Sequence, residues 1–312
     1  RLHDHTLAEN DAGPPPLARL VSASPFDAAL HDAAGRLAGR SAFGLYDRPA
    51  DAPSADALFP DDGAVATIGK MLRPEPSPAV DATLVVGKGD DLATLEPWVR
   101  ERGYAFFKLK IGGVDPDEDA ARTAAVYREA LRLGCPRPRL TVDANCLTPG
   151  PETVHAFLDR LHADDPAAYD ALEHVEQPTA RDIGRAAYDW RAVAARKPLL
   201  VDEGLIGFDS LALAEAQGWN GLALKTCKGH SFVLAAAAWA WRRGWTLTVM
   251  DLTNPGLAAI HGALLAAHLP GVDAVELNAA QYTPDAHAEW LPRAASLLTP
   301  RDGRHRLPTP TP

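Results

Sequence analysis

Between Asp81 and Asn278 the chain repeats one alternation: a short apolar run, then a longer segment with the period of an amphipathic helix. The runs read "ATLVVG", "AFFKLKI", "RLTVDAN", "LEHVEQP", "PLLVDEG", "GLALKTC", "TLTVMDL" and "DAVELN". Between them lie helical patterns such as "DEDAARTAAVYREALRLG", "GPETVHAFLDRLHA", "DSLALAEAQG" and "SFVLAAAAWAWRRG". Strands joined through helices run parallel, and their crossovers are right-handed. Eight such runs within about 200 residues match an α/β fold of the TIM-like (β/α) barrel kind, with the helices outside. A doubly wound open sheet shows the same alternation, and the polar residues separate the two.

Run after run finishes in charged or amide residues: Lys108 and Lys110, Asp143 and Asn145, Glu176, Asp202 and Glu203, Lys225, Asp251, then Glu276 and Asn278. A parallel barrel gathers all carboxyl-terminal strand ends at one mouth, whereas an open sheet spreads them along an edge. No GxGxxG or phosphate loop follows any run to suggest nucleotide binding. The barrel is therefore the expectation, with these residues converging on one site.

Asp143, Glu176 and Asp202 stand on three successive runs, and three carboxylates brought close together are costly unless a cation neutralises them. An all-oxygen donor set suits a hard ion, so Mg2+ is expected, with Mn2+ as the common substitute. A single strand-end acid more often caps a helix or pairs with arginine; three in succession, flanked by lysines, favour the metal. Lys108 and Lys110 lie two residues apart and so share the inward face, while Leu109 packs outward. Lys225 enters from the opposite wall. An amine in a partly dehydrated site beside a dication has its proton affinity lowered and can move protons near neutral pH. One lysine alone would fit a snorkelling rim residue, but the Lys-x-Lys spacing inside an apolar run argues against that.

The elements "FKLKIGG", "VDAN", "EQP", "VDEG" and "LKTCKG" occupy the second to sixth runs, and in their order and spacing the chain resembles the enolase superfamily. Within it the resemblance is to the muconate-lactonizing-enzyme-like group, relatives of mandelate racemase. "AALHDAAGRLAG" looks like the helix that ends the family's N-terminal capping domain. The resemblance implies an enolase-type barrel over residues 79–285, a partial or reduced α+β capping region over 1–78 and a C-terminal extension over 286–312. It implies Asp143, Glu176 and Asp202 as magnesium ligands and Lys110 and Lys225 as an acid/base pair. Lys108 then supports Lys110 and the substrate carboxylate, Asn145 and Glu203 neighbour the metal shell, and Asp251, Glu276 and Asn278 lie in the surrounding shell or against substrate. The implied chemistry removes the proton alpha to a substrate carboxylate to give an enediolate. Racemization or epimerization follows most directly from paired lysines, with cycloisomerization or acid-sugar dehydration behind it. The reading from another class is a non-catalytic barrel that binds a small acid, and the expense of keeping buried charges without use speaks against it.

Three departures from the family pattern shape the expectations. The seventh run, "TVMDLTNPG", ends without a histidine, which disfavours the His/Asp pair of mandelate-racemase-like relatives. The eighth reads "VELN" where dipeptide epimerases carry Asp-x-Asp, so a dipeptide substrate is not expected. No hairpin pattern precedes Ser24, where the family's capping domain opens with three antiparallel strands: that portion is expected to be absent, trimmed or reduced to "RLHDHTLAENDAGPPPLARL", and a homo-oligomer in which a partner subunit supplies cover is a further expectation. The only clear helix of the first stretch is "SPFDAALHDAAGRLAGR", with Ser24 as N-cap, Pro25 at its first position and Gly39 at its end. The following "GLYDRPADAPSADALFPDDG" reads as loop. In "KTCKGHS", Cys227 is expected as a buried thiol and His230 as the start of a helix or a pocket residue rather than a ligand of a hard ion.

Composition narrows the partners. The chain has 312 residues, 46% hydrophobic and 23% charged, enough for one large core plus a smaller unit. Its net charge of -10, with scattered basic residues, lacks a nucleic-acid footprint, and the small-molecule carboxylate expected as ligand is what the resemblance implies. No apolar run approaches the roughly 20 residues that span a bilayer, and "RLHDHTLAEN" lacks the layout of a signal peptide, so a cytoplasmic protein without membrane contact is expected. Cys135, Cys146 and Cys227 are odd in number and far apart, which suits reduced thiols.

Overall fold

In the computed structural model, which describes residues 13–48 and 50–308, the eight apolar runs become the strands of a closed parallel barrel. They are β1 (Ala79–Val86), β2 (Phe106–Lys110), β3 (Arg139–Asp143), β4 (Leu172–Glu176), β5 (Leu199–Val201), β6 (Gly221–Leu224), β7 (Thr246–Met250) and β8 (Ala274–Glu276). Each pairs in parallel with the next, and β1 closes the ring between β8 and β2. The register sets Lys108 against Thr141, Lys110 against Asp143, Asp143 against Glu176 and Met250 against Glu276. Polar strand ends are thereby level with one another around the mouth.

Two helices precede the barrel, α1 (Pro16–Ala38) and α2 (Ala64–Met71), and the crossovers carry α3 (Pro116–Arg132), α4 (Pro151–Asp164), α5 (Phe208–Gln217), α6 (His230–Trp241) and α7 (Leu257–His268). The outward residues Phe107, Leu109, Val142, Val175, Leu222 and Leu224 are buried beneath these helices and form the main core. Helix α3 shows why the pattern was readable: Asp115 accepts from the backbone N–H of Asp117 and Glu118, Pro116 fills the first position, and acids occupy the first turn. After β1 the crossover holds only a 3-10 turn (Leu92–Leu95) and a π turn (Pro97–Glu101).

Helix α1 corrects one expectation. It begins at Pro16, preceded by Pro15, so Ser24 and Pro25 lie inside it rather than at its start. Pro25 has no N–H to give to the Val21 carbonyl, and the Ser24 hydroxyl donates to that carbonyl instead, at 3.0 Å. Gly39 does end the helix, with φ 65°. The stretch read as loop contains a 3-10 helix (Ala42–Asp47) and one helical turn (Pro53–Asp56). At the other end, α8 (Leu291–Leu298) leads into β9 (Arg304–Arg306), which pairs antiparallel with β1.

Residues 1–12, which include the opening judged against a signal-peptide layout, lie outside the described residues. Among the described residues no helix is long and apolar enough to cross a membrane, and all three cysteines are free.

Candidate active site

The alternation of β2 sends Lys108 and Lys110 inward, at two depths. Lys108 is 2% exposed, and its ammonium lies 2.8 Å from Glu176 Oε1, 3.2 Å from Asp143 Oδ2 and 3.0 Å from Glu276 Oε2, with Met250 Sδ at 3.4 Å. Lys110 sits one step nearer the mouth, half-buried, and donates to Asp143 Oδ2 at 2.5 Å. Across the barrel, Lys225 donates to Asp202 Oδ2 at 2.8 Å. The six residues that carry the expected metal and proton chemistry thus occupy one mouth.

Lys228 is a participant that strand periodicity did not single out. It lies in the 3-10 turn after β6, is 1% exposed, and donates to the Asp202 backbone oxygen at 2.6 Å and to Oδ1 at 3.3 Å. Beyond a strand end the period of two no longer tells which way a side chain points. Gln177, just after β4, is the other: its side-chain oxygen accepts from the N–H of Asp202 and Gly204, fixing the loop that presents Asp202. Only a backbone at φ 31°, rare for a residue with a Cβ, aims it there.

The remaining candidates surround this core. Asn145 donates from its backbone to Asp143 Oδ1 at 2.8 Å and from its amide toward Asp143 Oδ2 and Glu203 Oε1. Asn278 donates to Glu276 Oε1 at 2.7 Å. Asp251 accepts from the backbone N–H of Thr253, Asn254 and Asn278, so it ties the loop after β7 to the end of β8. Glu276 enters the central cluster through Lys108, more directly than its sequence position implied. Cys227 is buried, and His230 opens α6, where its ring bonds His261 at 2.9 Å.

Among the residues themselves, neighbouring carboxylates and burial decide how tightly the lysines hold their protons. Burial pulls the Lys108 pKa down, but Glu176, Glu276 and Asp143 outweigh it and hold the proton well above the usual lysine range. Lys225 goes the same way, its burial outweighed by Asp202. Lys228 moves downward, because burial prevails there. Among the acids, burial and the Asp143 charge push Glu176 up, whereas Asp143 and Asp202, equally buried, are held low by their lysines. Burial raises Asp251 to about 6.

Whether these residues suit a hard cation can be judged from their free oxygens. Glu176 Oε2 and Glu203 Oε2 are buried and accept no hydrogen bond, a costly state for a carboxylate that a cation would relieve. The donor set is all oxygen. Among the described residues no three such side chains converge on one point as they stand, because their other oxygens are turned onto lysines. The chemistry of the donors fits a magnesium-like ion, and the lysines stand as its competitors.

The model of one family, described as enolase C-terminal domain-like, matches residues 90–312. No curated protein sequence matches the chain. Among solved structures it is similar to a mandelate racemase/muconate lactonizing enzyme from Bordetella bronchiseptica RB50, with 21% identity, 98% of this chain and 73% of that one covered, and a TM-score of 0.70. It is similar to the L-Ala-D/L-Glu epimerase from Bacillus subtilis at 17% identity, covering 84% of this chain and 67% of that one, with a TM-score of 0.62. A mandelate racemase/muconate lactonizing protein from Herpetosiphon aurantiacus shares 24% identity over 65% of this chain and 56% of its own length, with a TM-score of 0.55. The chain thus spans between just over half and about three quarters of these proteins, and at such identities the likeness carries the fold.

Proposed function

The chain belongs to the enolase C-terminal domain-like family, and on that premise we propose that it removes the proton alpha to the carboxylate of a small-molecule substrate, in a Mg2+-dependent racemization or epimerization. The observation that carries the reading is the pairing of Lys110 on β2 with Lys225 just after β6. These strands lie four apart in an eight-stranded ring, hence on opposite walls, and each ammonium is anchored by a different carboxylate. Two amines facing each other across a mouth address both faces of one carbon.

In this reading Asp143, Glu176 and Asp202 would hold the metal ion, which when bound supplies electrostatic stabilisation for negative charge building on the substrate carboxylate. One lysine takes the alpha proton, leaving the electron pair delocalised into the carboxylate as an enediolate. The other lysine returns a proton from the opposite face, so one proton leaves and one arrives. Lys225 as described holds its proton tightly through Asp202, which suits the donor; to act as base it needs the Asp202 charge engaged elsewhere. Lys228 steadies Asp202 from behind, through both its backbone and its carboxylate.

The test is incubation with Mg2+ in deuterated water beside amino-acid derivatives, sugar acids and lactones, following alpha-proton exchange by NMR. Exchange is expected for one class, abolished or made one-sided by Lys110→Ala and by Lys225→Ala. Ring closure or loss of water in the same spectra would move the assignment to cycloisomerase or dehydratase. Absence of both exchange and magnesium binding would leave a barrel that only binds a small acid.

A further inference from the structure

Four buried carboxylates of the mouth are met by lysines of the chain itself. Asp143, Glu176, Asp202 and Glu276 are met by Lys108, Lys110, Lys225 and Lys228. Lys108 is unlike the other three because it is shared. Two of its carboxylates, Asp143 and Glu176, belong to the set assigned to the metal; the third, Glu276, does not. A dication and an ammonium cannot both lie between the same two carboxylates without strong repulsion in a site this dry.

The contact with Glu276 differs from the others. Glu276 Oε2 lies 3.0 Å from the ammonium, within ion-pair distance, yet it accepts no hydrogen bond and is buried. Its other oxygen is fixed by the Asn278 amide at 2.7 Å. Glu276 is therefore a held carboxylate with a free oxygen facing Lys108, while Glu176 Oε1 already accepts from that lysine at 2.8 Å. An ammonium released by Asp143 and Glu176 has an acceptor within reach, by rotation about its own side-chain torsions.

We propose that Lys108 is an exchangeable internal cation: without metal it neutralises Asp143 and Glu176, and when a divalent ion takes those carboxylates its ammonium transfers to Glu276. This rests on the assignment of Asp143 and Glu176 as metal ligands. Glu276 is then a positioning residue whose effect on metal binding operates through Lys108.

The experiment is calorimetric titration of Mg2+ into the wild type, Lys108→Met, Glu276→Gln and the double variant, with folding checked by circular dichroism. Lys108→Met is expected to bind about tenfold more tightly and Glu276→Gln about tenfold more weakly, with the Glu276→Gln effect shrinking to about twofold or less once Lys108 is gone. An equal Glu276→Gln effect in both backgrounds would overturn the proposal, because charge acting through space alone is additive. Weaker binding by Lys108→Met would overturn it too. If neither the wild type nor Lys108→Met binds Mg2+, the metal assignment fails and takes this proposal with it. Binding that Asp143→Asn abolishes, with an additive cycle, leaves that assignment standing and removes only the exchange. Should Lys108→Met not fold, Glu276→Gln is compared with Asp251→Asn, a nearby acid without an ion pair to Lys108 among the described residues. Exchange expects at least about fivefold greater weakening from Glu276→Gln, and equal weakening overturns it.

Discussion

Single residues at the mouth show both what a sequence exposes and what it hides. Lys108, Lys110, Asp143, Glu176, Asp202 and Lys225 were legible because a charged residue in an apolar run has few structural uses and the strand period fixes its direction. Lys228 and Gln177 were hidden: Lys228 lies within a 3-10 turn, and Gln177, which the strand period would send to the face opposite Glu176, is redirected by a backbone at φ 31°. Asp119 is a third hidden residue. Its carboxylate is 3% exposed and accepts from Gly112 N–H and Gly113 N–H, both at 2.7 Å, clamping the loop that follows Lys110. Gly113 adopts φ +75°, and a Cβ there would meet Thr148 Oγ1 at 2.8 Å, so this loop has one close-fitting conformation. Asp119→Asn cannot accept both bonds with one oxygen in the same geometry and leaves a buried donor unsatisfied. We expect it to lower unfolding free energy by about 1–3 kcal/mol in urea titrations. A change below the error of such a titration would show that the clamp is dispensable.

At the level of elements, the eight strands were readable because burial and a polar terminus recur in each. What escaped was set by partners distant in sequence. Strand β9 has only three residues, exposed-buried-exposed, and exists through its pairing with β1. The N-terminus of α6 is similar: Gly229 offers no side chain to cap it, and the cap comes from α1. Asp27 accepts from the Ser231 backbone N–H at 2.9 Å and from its hydroxyl at 2.6 Å, a bond between residues 204 positions apart. That contact joins α1 to the element directly following the Lys225–Lys228 turn. Asp27→Ala is expected to cost about 0.5–2 kcal/mol, the usual range for a lost N-cap. Hydrogen exchange should quicken first in the opening turn of α6 and in α1, while the far side of the barrel keeps its protection. Uniform quickening across the barrel would mean instead that Asp27 supports the whole fold.

Over the whole molecule, the buried histidines decide how the fold responds to acid. His305 on β9 is 2% exposed, donates from Nδ1 to the Leu297 carbonyl at 2.6 Å, and is lowered by burial to about 4. His261, beside His230 between α6 and α7, is likewise lowered by burial to about 4. Both are neutral when folded and ready to protonate when unfolded. Falling pH therefore loads protons on the unfolded chain first: the stability is complete above about 6.5, is lost through the interval down to about 4, and falls no further below it. For His305 the full interval is worth about 3 kcal/mol. Asp251 acts with the opposite sign, since burial raises it to about 6 and the folded state takes its proton first. Glu176 and Asp119 are raised by burial too and act as Asp251 does, but burial also lowers His174, His230, His268 and His287, so the histidines outnumber the raised acids and the balance is acid destabilisation. Melting temperature should accordingly fall steadily between pH 7 and pH 4.5. His305→Gln keeps an amide that can donate to Leu297 but has no proton to take up, so it should flatten that fall without abolishing it. An unchanged slope would show that His305 takes up its proton over the same pH range folded as unfolded, so that its burial does not set the acid response.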